Sequence, residues 1–304
     1  MQRRGPRGDP GEGVGTILCQ RTVAPTMHAH ATPCRSPFLP QPEIDRIDGA
    51  ATGPPTVLPR LPLRLPRRAR GEELIDRPDV DIQALERSME AVTRVNERLG
   101  GVRSVLSGLR SAAKEVKVVS LLDVGVGNGD LPRKLARELA GDGLILRWTG
   151  VDVHPVALGL ARRGGDGEEG ADGALVRADA LRLPFADRSF DVAAATLTLH
   201  HLGGDTCVEA LREMGRVSRH GVLVSDLERH PLHYLGARLL AATLWRSDPL
   251  TRHDGPLSVL RGFTRRELAA LAHRAGLDGV RVRRFFPFRL LLEARARGGA
   301  VGPA

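Results

Sequence analysis

The sequence predicts an α/β fold: a mostly parallel, seven-stranded sheet with helices on both faces and an antiparallel strand at its C-terminal end. Three observations carry this. From Val116 onward, apolar strand-like runs alternate with amphipathic helical runs. The first strand ends in an acid followed by a glycine-rich turn, Asp123-Val124-Gly125-Val126-Gly127-Asn128-Gly129. The last two strands flank Pro287 and read as a closing pair.

The elements follow in order. Residues 1–70 contain 12 of the 21 prolines and no helical or strand period. They read as a disordered Pro/Arg-rich extension, with Leu58–Arg68 extended and Met27 available as an alternative initiator. Order is expected from about Gly71. Residues 71–115 read as a helical cap. Asp81 can cap a helix whose apolar positions are Ile82, Leu85, Met89, Val92, Val95 and Leu99, and Gly100-Gly101 stops it. A second helix covers Arg103–Ala113. The main domain spans 116–296, with strands at 116–124, 144–151, 174–177, 190–195, 221–225, 280–285 and 288–293. Its helices are read at 130–139, 155–163, 206–218, 232–245 and 264–275. Residues 164–173 hold five glycines and four acids and read as a loop. His253-Asp254-Gly255-Pro256 reads as a turn in a loop that covers the site. Residues 297–304 read as a flexible end.

Composition narrows the function classes. Hydrophobic residues are 41% and charged ones 27% of 304, enough to build a core and too apolar for global disorder. The net charge of +9 invites a nucleic-acid reading. However, 42 of the 45 basic residues are arginine, residues 1–70 alone carry +6, and aromatics are only 3%. Little is left for a base-stacking platform. Cys19, Cys34 and Cys207 form no C-x-x-C pair, so neither a disulfide framework nor a zinc site is expected and a reducing compartment fits. No run of 18 apolar residues exists; the best stretch, Tyr234–Trp245, is short and broken by Arg238. Val14–Cys19 is too short for a signal-peptide core, so a cytoplasmic protein is expected.

The chemistry concentrates at strand ends. A G-x-G turn alone also serves as a plain structural turn, but it gains weight from Asp152, 23 residues past Gly129 at the end of the second strand. A carboxylate there can accept both ribose hydroxyls of a nucleoside, or cap the helix that begins at Pro155. Asp179, in Arg177-Ala178-Asp179-Ala180, ends the third strand, where an acid can accept from an adenine amino group. Leu183-Pro184-Phe185 and Ser189-Phe190-Asp191 follow, and the fourth strand runs out into Thr196-Leu197-Thr198-Leu199-His200-His201-Leu202.

With these five segments in order, residues 118–226 resemble class I S-adenosylmethionine-dependent methyltransferases. The closest likeness is to the ubiquinone/menaquinone-type and small-molecule methyltransferase subgroup. The resemblance implies a three-layer Rossmann-like fold and S-adenosylmethionine as methyl donor. It implies that Asp123, Gly125, Gly127 and Gly129 cradle the methionyl part, that Asp152 with Val153 holds the ribose, and that Asp179 and Ala180 flank the adenine. Thr196 and Leu197 would floor the sulfonium. A nicotinamide or flavin enzyme would need its third glycine at position 130, where Asp130 would repel a pyrophosphate; no P-loop occurs.

The expected activity is methyl transfer to oxygen or carbon of a small, largely apolar acceptor such as a phenol, quinol or polyketide-like molecule. A catalytically silent S-adenosylmethionine-binding partner protein and a nucleic-acid methyltransferase are the alternatives. The second is disfavoured because Thr196-Leu197-Thr198-Leu199 stands where amino-methylating DNA enzymes resemble one another in an N/D-P-P-Y/F/W segment. His200, His201 and His253 are candidate bases, since a phenol or enol needs help losing its proton near neutral pH. The histidines lack Cys or carboxylate partners at ligand spacing, so no metal is expected. The cap, helix 232–245 and Phe285, Phe286 and Phe288 would help line the acceptor pocket.

Overall fold

Seven strands form one sheet: β1 (Val118–Val124), β2 (Ile145–Asp152), β3 (Ala174–Arg177), β4 (Phe190–Thr196), β5 (Ser218–Leu227), β6 (Asp278–Phe285) and β7 (Arg289–Arg295). Their spatial order is β3-β2-β1-β4-β5-β7-β6. The computed structural model describes residues 65, 67–77, 79–112, 116–165 and 173–296, all in the unit Leu58–Ala304. The readings of a disordered extension before residue 65, of the body of the acidic glycine loop (166–172) and of the 297–304 end lie outside the described residues. Strands β1 to β5 pair in parallel, and β7 runs antiparallel to both β5 and β6.

Parallel neighbours need crossovers, which the helices supply. The helices among the described residues are α1 (Ile82–Arg98), α2 (Gly101–Ala112), α3 (Asp130–Gly141), α4 (Pro155–Arg163), α5 (Gly204–Val217), α6 (Pro231–Ala242), α7 (Pro249–Arg261) and α8 (Arg265–Arg274), of which α3, α4 and α5 make the β1–β2, β2–β3 and β4–β5 crossovers. Strand alternation sorts the core into two layers. Val119 and Leu121 of β1, with Val192 and Ala194 of β4, pack on α2 and α3. Leu122, Val124, Ala193 and Ala195 face α5 and α8. The strand order reverses between β1 and β4, and the crevice at the carboxyl ends there is where such sheets bind ligands.

Several elements differ from expectation, each because tertiary partners override local pattern. Packing starts before Gly71: the Arg68 guanidinium lies 4.3 Å from the Phe263 ring centre and donates to the carbonyls of Leu199, His200 and Leu202 at 3.3, 2.9 and 2.8 Å. The residues about His253 are helix, not a loop; α7 runs through Gly255 and Pro256, secured by Asp248, which accepts from Leu250 N and Thr251 N. On α1, Ile82 and Val92 are exposed. Its buried positions include Ser88, bonded to Thr251 Oγ1 at 2.9 Å, and Asn96, which accepts from Arg289 at 2.9 Å. Polar residues can occupy a buried face when each finds a partner. Helix α2 begins at Gly101 and contributes Val102, Val105, Leu106 and Leu109 to the sheet's own core, so it is a layer of the sandwich.

Candidate active site

The register brings the acids to one edge. Asp123 pairs with Gly150 and Ala194, and Val124 with Val151 and Ala195, so the ends of β1, β2 and β4 lie level. The chain leaves β1 with Gly125 at φ 75°, Gly127 at 57° and Gly129 at 76°. A Cβ on Gly125 would lie 2.4 Å from Thr198 Oγ1, whereas one on Gly127 would meet nothing within 4 Å. Gly125 therefore closes the turn against β4's exit, and Gly127 bares backbone toward the crevice. Asp152 pins the loop: Oδ2 accepts from Gly127 N at 3.0 Å and Oδ1 from His154 N at 2.8 Å. Two of its roughly four acceptor sites remain for a ligand. Helix α1 reaches the loop through Thr93 Oγ1, which accepts from Asn128 at 3.3 Å.

Asp123 is 2% exposed. Burial, reinforced by the Asp152 charge, pushes its carboxyl up to about 7. An acid this close to ionising at neutral pH gains most from a cation placed beside it. Thr196 Oγ1 is buried with no hydrogen-bond partner, and Leu197 takes φ 55°, rare for a leucine. Strained or unpaired groups of this kind cluster at ligand sites. Val153 is 64% exposed beside Asp152. Asp179 is exposed, its Oδ1 accepting from Leu181 N at 2.9 Å, and Ala180 packs partly against the core. A buried, half-neutral carboxyl, an orphaned hydroxyl and a glycine cradle suit a ligand carrying a cationic amino-acid end.

Beyond β4 the two histidines separate in character. His200 is 3% exposed; its Nδ1 lies 2.7 Å from Asp226 Oδ1, and its backbone N–H donates to Asp226 Oδ2 at 3.2 Å. Burial works to raise the Asp226 carboxyl, but His200, the Leu227 N–H and Arg289 outweigh it and hold it below the usual range. An ionised Asp226 accepts from His200 Nδ1 and orients the ring, so that Nε2 points toward Glu73. His201 lies 3.0 Å from Asp76. Burial works to lower it, yet the Asp76 hydrogen bond and the Glu73 and Asp76 charges win, pushing it up to about 8. At neutral pH His201 is mostly a cation and a poor base. His253 is on α7, half exposed, 2.7 Å from Asp254, and lines an open groove with Tyr234, Arg238 and Arg252.

Glu73, Asp76, Asp226, Arg68 and Arg261 were not legible in the sequence as site residues. Asp226 carries the same signal as Asp123, an acid ending the apolar run Val222-Leu223-Val224-Ser225; the predicted strand stopped one residue short of it. Glu73 and Asp76 give no local signal, because the segment 67–77 brings them in from far along the chain. Arg261 ties that segment down, donating to Gly71 O and His201 O at 2.6 Å and His200 O at 2.9 Å. Glu73 Oε1, buried and without a hydrogen bond, faces His200 Nε2 at 3.9 Å. The expectation that the histidines lack carboxylate partners is thus corrected. Glu73, His200 and His201 place ligand-type atoms within 4.8 Å of one another. Arg261 Nε is already 3.4 Å from Glu73 Oε1, so positive charge is supplied and a divalent ion would meet repulsion. We read the cluster as an ion-pair network. Phe285 and Phe288 are half-buried, while Phe286 is 87% exposed and does not line the groove beside His253.

Comparison with known proteins agrees with this geometry. A family model described as "Methyltransferase domain" matches residues 121–221. The demethylmenaquinone methyltransferase of Roseiflexus castenholzii is 32% identical over 169 residues, covering 52% of this chain and 67% of that protein. The 27-O-demethylrifamycin SV methyltransferase of Amycolatopsis mediterranei is 32% identical over 133 residues, 43% of each chain. Matched segments span from 43% to 67% of the lengths of the curated relatives. A crystal structure of a SAM-dependent methyltransferase from Aquifex aeolicus shares the fold, with TM-score 0.50 and 15% identity over 71% of this chain and 98% of that one. Cradle, strand-end acids, sheet order and sequence kinship converge: this chain belongs to the class I S-adenosylmethionine-dependent methyltransferase family, in its quinone-type subgroup.

Proposed function

We propose that the protein transfers a methyl group from S-adenosylmethionine to a small, largely apolar acceptor bearing an ionisable hydroxyl, a phenol, quinol or polyketide-like molecule. The observation that carries this reading is His200, held by Asp226 beside the exit of β4, at the same sheet edge as Asp123 and Asp152. The two curated relatives, one a demethylmenaquinone methyltransferase and one a demethylrifamycin methyltransferase, support a small-molecule acceptor.

In this reading Asp123 and the Gly125–Gly129 loop hold the amino-acid end of the donor. Asp152 holds the ribose, Asp179 and Ala180 border the adenine, and Thr196 and Leu197 floor the reacting end. S-adenosylmethionine supplies, when bound, an electrophilic methyl carbon on a good leaving group. The rest is positioning, which accounts for much of the acceleration in such displacements. His200 Nε2 takes the hydroxyl proton while Asp226 keeps the Nδ1 proton in place and stabilises the resulting imidazolium. His201, already protonated, adds positive potential rather than basicity. Glu73 covers Nε2, so in this reading an acceptor reaches His200 only when the segment 67–77 is displaced.

Calorimetry with S-adenosylhomocysteine tests the binding half of the reading; no heat at high micromolar ligand ends it. Turnover with a panel of phenols and quinols tests the rest. Binding without S-adenosylhomocysteine release across the panel would favour a silent binding partner.

A further inference from the structure

Helix α6 is apolar on nearly every side, a composition that usually marks a helix enclosed by protein. Here it lies at the surface. Ala237 and Ala241 are buried, while Leu232, Leu235 and Leu239 are 56%, 47% and 64% exposed. At about 100° per residue the three leucines fall within about 60° of one another, opposite the two alanines. Leu244, just past the helix end, is 77% exposed. Phe286, 87% exposed, lies two residues from Phe288, which stacks on His230 and His233 at the helix start at 5.1 Å each. No other part of the described residues gathers as many exposed large apolar side chains.

The charge around this row has one sign. Arg238, Arg246 and Arg252 are exposed, and Arg238 and Arg252 share one groove. Between Arg229 and Arg252 the sole carboxylate is Asp248, which is committed to capping α7. A second copy meeting this face about a two-fold axis would set arginine against arginine. An anionic lipid surface offers what both halves of the face lack, apolar volume for the leucines and negative headgroups for the guanidinium groups.

We propose that α6, Leu244 and the Phe286 turn dock on an anionic lipid surface, with the leucines and Phe286 entering the acyl boundary and Arg238, Arg246 and Arg252 at headgroup level.

The test is co-sedimentation of the full chain with sucrose-loaded vesicles. One set is pure phosphatidylcholine, and the other is equal parts phosphatidylcholine and phosphatidylglycerol. The wild type should pellet with the mixed vesicles and be released by salt. Leu235→Ser with Leu239→Ser should weaken partitioning by about tenfold or more, since two buried side chains are lost from the contact. Arg238→Gln with Arg246→Gln should weaken the preference for the anionic set. The leucine variant keeps every arginine, including the 11 in residues 1–70, so its loss reports on α6 and not on the tail. An unchanged thermal midpoint shows that the variant is folded. Equal pelleting of wild type and leucine variant overturns the proposal. So does a wild type that ignores both vesicle sets, or one that forms a concentration-dependent dimer which the leucine substitutions dissolve.

Discussion

Asp123→Asn should change the sign of its effect on stability between acid and alkaline pH. The wild-type carboxyl rises from 3.8 unfolded to about 7 folded, chiefly through burial, with Asp152 adding to it. A raised carboxyl pKa means that the folded state is favoured while the group is protonated. Stability therefore falls as pH climbs from about 4 to about 7, and the full penalty stands above 7. At about 1.4 kcal/mol per pH unit of difference, that penalty is up to about 4 kcal/mol. Asparagine preserves the shape and carries no charge, but its buried amide N–H groups find no acceptor, which costs about 1–2 kcal/mol. At pH 8 the variant should be more stable than wild type by about 2–3 kcal/mol, at pH 3 less stable by about 1–2 kcal/mol, and the two should cross near about pH 5. Urea melts of both proteins across this range measure it. The same carboxyl should tie binding to protons: the ligand's ammonium group favours ionised Asp123, so S-adenosylhomocysteine affinity rises as pH passes 7 and binding releases a proton. Calorimetry in buffers of different ionisation enthalpy reads that release. A variant less stable than wild type at pH 8, or affinity flat from pH 6 to 8, refutes the reasoning.

Asp152→Ala removes the acceptor of Gly127 N as well as the proposed ribose contact, and should weaken S-adenosylhomocysteine binding by about 1–3 kcal/mol in a calorimetric titration. Unchanged affinity would take Asp152 out of the site. Asp226→Asn leaves the shape but frees the His200 tautomer, so kcat with any acceptor found in the phenol panel should fall by about 10²- to 10⁴-fold with little change in KM. Equal losses from His201→Gln would show that the two histidines had been assigned the wrong way round. Gly125→Ala forces a Cβ to within 2.4 Å of Thr198 Oγ1 at a left-handed φ, and a drop of at least about 2 kcal/mol in urea melts is expected. Adding Thr198→Ala should restore part of it.

The sheet was readable because its signals are local. Seven apolar runs of strand length, separated by helical periods, specify α/β whatever their partners, and glycines at 125, 127 and 129 announce left-handed backbone. Strand-end acids were readable for the same reason, since an acid closing an apolar run stands out in a short window. Asp123, Asp152 and Asp179 were found this way, and Asp226 had the same signature. Helix α7 was missed because Gly255-Pro256 argues locally for a turn. Its capping by Asp248 and the bonds from Leu74 N and Ile75 N to Asp254 overrule that. The exposed Ile82 and Val92 of α1 show the same limit, as periodicity identifies a helix but not which of its polar residues will find buried partners.

By itself, then, the sequence determined the fold class, the glycine cradle and the acids at the strand ends, all features that neighbouring residues encode within a turn or a strand. Only the tertiary structure decided which charges surround each histidine. Asp226 on β5 and Glu73 and Asp76 from the segment before α1 meet His200 and His201 across more than a hundred residues for the latter pair. The ionisation of His201 depends on the Glu73 and Asp76 charges a few ångströms away, and such proximity is a property of the packed chain, not of any stretch of it.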